Sequence, residues 1–235
     1  MNGLTPLAYR DGATALTGWV ARPAGKARGA VVVFPTIANV TANIERKAHS
    51  LAQAGYLALI ADFYGEAVAD FAAGGALAKV LRADPLAYRR RLGAALGALQ
   101  AMPEAAGLRC AAIGFCMGGQ AALELARSGA DLVAAVSFHG LLDTQIAAAP
   151  DAIKARLLIC HGDADPMVPR PQVLAFWEEM TTAGADWHFH TYAKVAHGFT
   201  DPASDAREID GIHYNASADR QSWAAMAGLF DEVFG

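Results

Sequence analysis

The sequence predicts an α/β fold. It would have a mostly parallel central sheet, helices on both faces and an antiparallel hairpin at the N-terminal end. Three observations carry this. Five runs are almost continuously apolar: GAVVVFP (29–35), YLALIADFY (56–64), RCAAIGF (109–115), LVAAVSFHG (132–140) and ARLLICHGD (155–163). Strands buried on both faces of a covered parallel sheet read this way. Helical patterns lie between the runs, and such alternation favours parallel strands joined by right-handed crossovers. Finally, LAYRDGATALTGWVARP (7–23) reads as a hairpin turning at Asp11-Gly12.

The remaining elements follow in order. Helices are expected over ANIERKAHSLAQAG (42–55), DPLAYRRRLGAALGALQAM (84–102), MGGQAALELARSG (117–129), PRPQVLAFWEEMTTAG (169–184) and ASADRQSWAAMAGLFDEVF (216–234). Gly55, Gly129 and Gly184 stand where helices should stop. DWHFHTYAKV (186–195) alternates in polarity and predicts a later, less buried strand. A chain of 235 residues, 54% of them hydrophobic and 18% charged, is expected to fold as a single domain over 1–235.

Composition narrows the function classes. A net charge of −4 offers no electrostatic footprint for nucleic acid or an anionic membrane. The one basic run, Arg89-Arg90-Arg91, is expected to be a solvated helix face. No apolar run reaches the roughly 18 residues a membrane span needs, and MNGLTPLAYRDG lacks the pattern of a secretory leader. Cys110, Cys116 and Cys160 form neither a disulfide framework nor a zinc-ligand spacing. The expectation is a cytoplasmic protein, monomeric or homodimeric, without metal or cofactor.

In a parallel α/β sheet, ligands bind beyond the carboxyl ends of the strands. Three candidates lie there. Gly114-Phe115-Cys116-Met117-Gly118-Gly119 fits a nucleophile elbow with Cys in place of Ser. Glycines let the strained turn form, and the helix starting at Met117 would aim its dipole and free N–H groups at the sulfur. HGDADPMVP (161–169) supplies two acids, Asp163 and Asp165, and KVAHGFT (194–200) supplies His197. Each also has a structural reading: a glycine-rich turn around an inert thiol, an Asp-Pro turn, and a surface-loop histidine. Together they occur in the chain order nucleophile, acid, histidine, which is that of α/β-hydrolases. His139 and His161 also end strands and are candidates to line a pocket. His188 and His190 alternate on a strand and read as structural, and Cys110 and Cys160 as core.

The motifs GFCMGG, ADFYG, HGDADPMVP and AHGF resemble those of the dienelactone hydrolase family, a cysteine-using branch of the α/β-hydrolase fold, and the likeness runs over nearly the whole chain. The resemblance implies Cys116 as nucleophile, Asp165 as acid, with Asp163 second to it, and His197 as base. It implies backbone N–H groups of Ile37 and Met117 as an oxyanion hole. Two positions depart from the family pattern. Thr36 replaces a Glu that contacts the resting thiol, and Asp201 replaces an Arg that binds a substrate carboxylate. Lys79 and Arg82 are loose stand-ins for a second Arg.

The expected reaction is cleavage of a neutral ester or lactone through a thioester, extending to aryl esters and neutral phosphotriesters. Thr36, Phe63, Tyr64, His139 and Phe199 are the pocket candidates. A thiol redox enzyme or sensor using Cys116, and a small-ligand-binding pseudoenzyme, are the alternative readings.

Overall fold

Gly12 sits at the tip of the first hairpin with φ +56, a conformation that glycine adopts without Cβ strain. On either side of it, β1 (Thr5–Asp11) and β2 (Thr14–Ala21) pair antiparallel, with Asp11 opposite Thr14. The computed structural model describes residues 3–235; Met1 and Asn2, the start of the stretch read for a leader, lie outside the described residues. Two compact units divide the chain, Met1–Ala112 and Ile113–Gly235.

In the first unit, β2 also pairs antiparallel with β4 (Tyr56–Ile60), and β4 pairs parallel with β3 (Gly29–Phe34), giving the order β1-β2-β4-β3. Every residue of β3 and β4 is buried, so both faces of these strands are covered. Three helices complete the unit: α1 (Ala42–Gln53), α2 (Phe71–Arg82) and α3 (Pro85–Gln100), started by the side chains of Thr41, Asp70 and Asp84.

Helix α2 is not evident from sequence periodicity, because Gly74-Gly75 interrupts it. The structure explains Gly74. A Cβ there would lie 2.5 Å from the Ile37 carbonyl oxygen, so only glycine lets the helix approach that loop. The arginine run also departs from a plain solvated face. Arg90 and Arg91 each donate to Asp11 at 2.8 Å, and Arg91 also donates to the Phe63 carbonyl and Thr14. Asp11 is buried, so two guanidinium partners meet the cost of taking its charge out of water.

In the second unit the order is β5-β6-β7-β8, with β5 (Cys110–Phe115) crossing the boundary. β6 (Ala134–Phe138), β7 (Arg156–Gly162) and β8 (Trp187–Tyr192) are parallel, with Val136 opposite Leu158 and Ile159 opposite Phe189. Helices α4 (Met117–Arg127), α5 (Arg170–Thr182) and α6 (Ala216–Phe234) follow the expected spans closely. Every residue of α4 is buried, including Glu124 and Arg127. Arg127 bridges Glu124 at 3.0 Å and Glu179 of α5 at 2.8 Å and donates to the Leu142 carbonyl. This mostly parallel sheet with its antiparallel N-terminal strands is the α/β-hydrolase fold.

Candidate active site

The turn between β5 and α4 places Cys116 at φ +57 and ψ −121. A residue with a Cβ pays for such a conformation, which persists only where the surroundings enforce it. Here they are tight. A Cβ on Gly114 would lie 1.8 Å from the Gly118 carbonyl oxygen, and one on Gly119 would lie 2.6 Å from Ser137 Oγ and 2.7 Å from Gly140 Cα. The Cys116 backbone N–H is shared by the Phe138 carbonyl and His139 Nδ1, each at 3.1 Å. Cys116 itself is only partly buried.

His197 and Asp165 complete the cluster within the same unit. Asp165 ends the turn after β7 and accepts the Met167 N–H on Oδ1 at 2.8 Å. Its Oδ2 accepts the His197 Nδ1 proton at 2.7 Å. Asp163 points elsewhere, into a two-pronged ion pair with Arg170 at 3.0 and 2.8 Å. Of the two acids in HGDADPMVP, Asp165 is therefore the one that meets the histidine.

His197 lies in a loop, yet it is held like a strand residue. Its N–H donates to the Gly211 carbonyl at 2.9 Å, its carbonyl accepts the His213 N–H at 3.0 Å, and Phe199 accepts from Asn215 at 3.1 Å. Residues 209–215 thus form a strap along the histidine loop, with Ile212 bridged in parallel to His197. Asn215 then caps α6 by accepting the Ala218 N–H.

The electrostatics couple sulfur and ring. Burial would raise the Cys116 pKa, but the attraction of His197, with the Met117 N–H aimed at the sulfur, brings it below the ordinary thiol value. His197 Nε2, the ring nitrogen that Asp165 leaves over, is buried and makes no hydrogen bond among the described residues. Burial would lower the His197 pKa, but the charge on Cys116 and the hydrogen bond to Asp165 raise it well above the ordinary imidazole value. Thiolate and imidazolium therefore stabilise each other. Cys160 shows the contrast: burial pushes its thiol up to about 12. A thiolate with a protonated ring beside it can attack a carbonyl carbon and then protonate the departing oxygen.

The other sequence candidates fall into place. His139 is buried, and its ring lies edge-on to His197 and Phe199 with centroids 5.1 Å from each. Phe199 and Phe63 are fully buried, and Phe63 stacks on Phe34. His161 is buried against Phe189, and burial lowers its pKa. His188 and His190 are exposed on β8.

In the first unit, Ile37 lies in the loop after β3, and its carbonyl accepts the Tyr64 hydroxyl at 3.1 Å. Thr36 Oγ1 accepts the Ala38 N–H of its own turn. Asp62 organises this loop by accepting from Asn39 Nδ2 at 2.9 Å and from the N–H groups of Thr17, Tyr64 and Gly65. A cavity of about 440 Å³ beside it is lined by Trp19, Asn39, Glu66 and Val68 among others.

Asp201 stands where the family pattern has a carboxylate-binding Arg. It caps the short 3₁₀ turn Pro202–Arg207 through the Ala203 N–H and pairs with Arg207 at 2.6 Å. Its charge is balanced locally, so it is a weaker barrier to an anion than a bare carboxylate. Among the described residues, no group of three or more His, Cys, Asp or Glu side chains is placed to hold a metal ion, and no helix is long and apolar enough to cross a membrane.

A thiol on a strained strand-to-helix turn, with a histidine and an acid following on later strand ends, defines an α/β hydrolase. Residues 16–234 match the dienelactone hydrolase family, and the chain belongs to that family. It is an ester/lactone hydrolase. The structure resembles a crystal structure of a dienelactone hydrolase-like promiscuous phosphotriesterase, P91, from metagenomic libraries, with a TM-score of 0.94 and 39% sequence identity over 99% of this chain and 98% of that one. The sequence is 40% identical over 147 residues to the uncharacterized protein K02A2.1 of Caenorhabditis elegans, covering 61% of this chain and 92% of that protein. It is 28% identical over 217 residues to a probable 2-oxo-3-(5-oxofuran-2-ylidene)propanoate lactonase of Bradyrhizobium sp, covering 87% of this chain and 83% of that protein.

Proposed function

We propose that this hydrolase cleaves neutral carboxylic esters or lactones with Cys116 as nucleophile, His197 as acid and base, and Asp165 as the group that orients His197. The observation that carries this is the sealed 2.7 Å contact between His197 Nδ1 and Asp165, with the Cys116 charge coupled to the same ring.

The Cys116 thiolate attacks the carbonyl carbon and the carbonyl electrons move to oxygen. The Met117 N–H, already turned toward the sulfur, stabilises that oxyanion, and one such donor is worth roughly 3–4 kcal/mol in comparable sites. Collapse breaks the carbon–oxygen ester bond, and the leaving alcohol takes the proton from His197. His197 then draws a proton from water, whose oxygen attacks the thioester. The acid departs, and thiolate and imidazolium are restored.

The substrate class follows from what surrounds the site. The family arginine expected four residues past His197 is Asp201, and its partner Arg207 is already engaged with it. Neutral substrates fit this balance better than anionic ones. Aryl esters have good leaving groups, and neutral phosphotriesters are the further extension, supported by the activity named for the similar metagenomic protein. The redox reading wants a second thiol, and both other cysteines are buried in strands.

The test is a panel of a neutral aryl ester, its carboxylate analogue and a simple lactone, run on wild type and Cys116→Ala, with intact-mass detection of an acyl group on Cys116. Full activity in Cys116→Ala defeats the mechanism. Preference for the carboxylate analogue defeats the substrate class.

A further inference from the structure

His139 stands at the end of β6 with φ +41, a second strained non-glycine backbone beside that of Cys116. Its hydrogen bonds define its chemical form. Nδ1 accepts the Cys116 backbone N–H at 3.1 Å, and a backbone N–H can only donate, so Nδ1 carries no proton. The ring is then neutral, with its proton on Nε2, which lies 2.8 Å from Thr200 Oγ1 and donates to it. Thr200 is fully buried three residues beyond His197. The His139 backbone is itself pinned, its N–H donating to the Cys160 carbonyl at 2.8 Å.

One imidazole therefore ties together the two segments whose register matters. Through Nδ1 it grips the elbow at the nucleophile's own amide, and through Nε2 and Thr200 it grips the loop carrying the base. Its ring edge meets the His197 ring, with centroids 5.1 Å apart and planes at 70°. A neutral ring is required there, because a second cation would oppose the imidazolium that forms on His197.

We propose that His139 is a positioning residue of the hydrolytic reaction, holding the Cys116 turn and the His197 loop in register through its two ring nitrogens. The proposal rests on the Cys116–His197–Asp165 reading above. Misplacing reacting groups by about 1 Å costs on the order of a hundredfold in rate, so a device that spans both groups is worth testing directly.

The test measures kcat and KM for p-nitrophenyl acetate in His139→Phe, His139→Asn, Thr200→Val, Thr200→Ser and Cys116→Ala, and the iodoacetamide rate at Cys116 at neutral pH in the four variants that keep the thiol. His139→Phe keeps an aromatic ring and loses both hydrogen bonds. His139→Asn keeps an acceptor near the Nδ1 place. Thr200→Val removes the Nε2 partner, and Thr200→Ser restores it. Expected are a fall in kcat of roughly tenfold or more in His139→Phe and Thr200→Val, with KM within about threefold, slower alkylation in both, and recovery in Thr200→Ser and in part in His139→Asn.

Values of kcat and alkylation rate within twofold of wild type in Thr200→Val overturn the proposal, as does an equal loss in Thr200→Ser and Thr200→Val. If His139→Phe does not fold, the Thr200 pair decides. Cys116→Ala separates the two levels. Retained activity there removes the parent reading and this proposal with it, whereas an inactive Cys116→Ala beside a wild-type-like Thr200→Val removes the positioning role alone.

Discussion

His197 and Asp165 meet across 2.7 Å with no more than 2% of either side chain exposed. A charged hydrogen bond shielded from water this way orients the ring and stabilises its cation. Asp165→Asn keeps the shape and removes the charge. We expect a correctly folded variant whose kcat falls about 10³- to 10⁴-fold. Asp163→Asn should stay close to wild type, because Asp163 faces Arg170. Steady-state rates on one aryl ester compare the two.

The coupling of Cys116 with His197 predicts a particular pH response. Cys116 ionises below the ordinary thiol value of about 8.5, and His197 keeps its proton above the ordinary imidazole value of about 6.5. Both shifts favour the thiolate–imidazolium form over the neutral pair, and the two limbs of a kcat/KM profile belong to the pair. Alkylation of Cys116 by iodoacetamide should already be fast at neutral pH. A midpoint like that of free cysteine would refute this.

Gly119→Ala puts a Cβ within 2.7 Å of both Ser137 Oγ and Gly140 Cα. Overpacking of this kind costs about 1–3 kcal/mol, and here it also disturbs the turn that presents Cys116. Gly97→Ala, on α3 with nothing within 4 Å of its Cβ, should instead stabilise by about 0.4–1 kcal/mol. Thermal melts of the two variants, with kcat for the first, check both.

Asp11 predicts an acid-sensitive contribution to stability. Burial would raise its pKa, but the hydrogen bonds from Arg91 and Arg90 hold it below the usual carboxylate range. A depressed acid stabilises fully above its unfolded value, about 3.9, and loses that contribution as pH falls through the folded value. Asp11→Asn should therefore cost about 1–3 kcal/mol at neutral pH, the worth of hydrogen bonds to a charged group, with the gap to wild type closing in strong acid. Urea unfolding at several pH values measures it.

Much of the site is legible in the sequence because its parts carry local signatures. The glycines around Cys116 report a tight turn. The Asp-rich and His-Gly segments fall where buried strands end, and the strand runs are apolar because both faces are covered. What is illegible depends on partners distant in the chain. Gly74-Gly75 reads as a helix breaker until the Ile37 carbonyl is seen against Gly74. Asp201 reads as a bare negative charge until Arg207 folds back onto it. His139 reads as one strand-end histidine among several, because its role lies in the two bonds that its ring makes across the fold.

The strap of residues 209–215 sets when the cost of order is met. A histidine on a free loop would have to be immobilised again in every catalytic cycle. Here the Gly211 carbonyl and the His213 and Asn215 amides fix the backbone on both sides of the ring before substrate arrives. With His197 as the base, as proposed, the entropy of placing it is lost once, as the chain folds, and each turnover begins with the ring already in place.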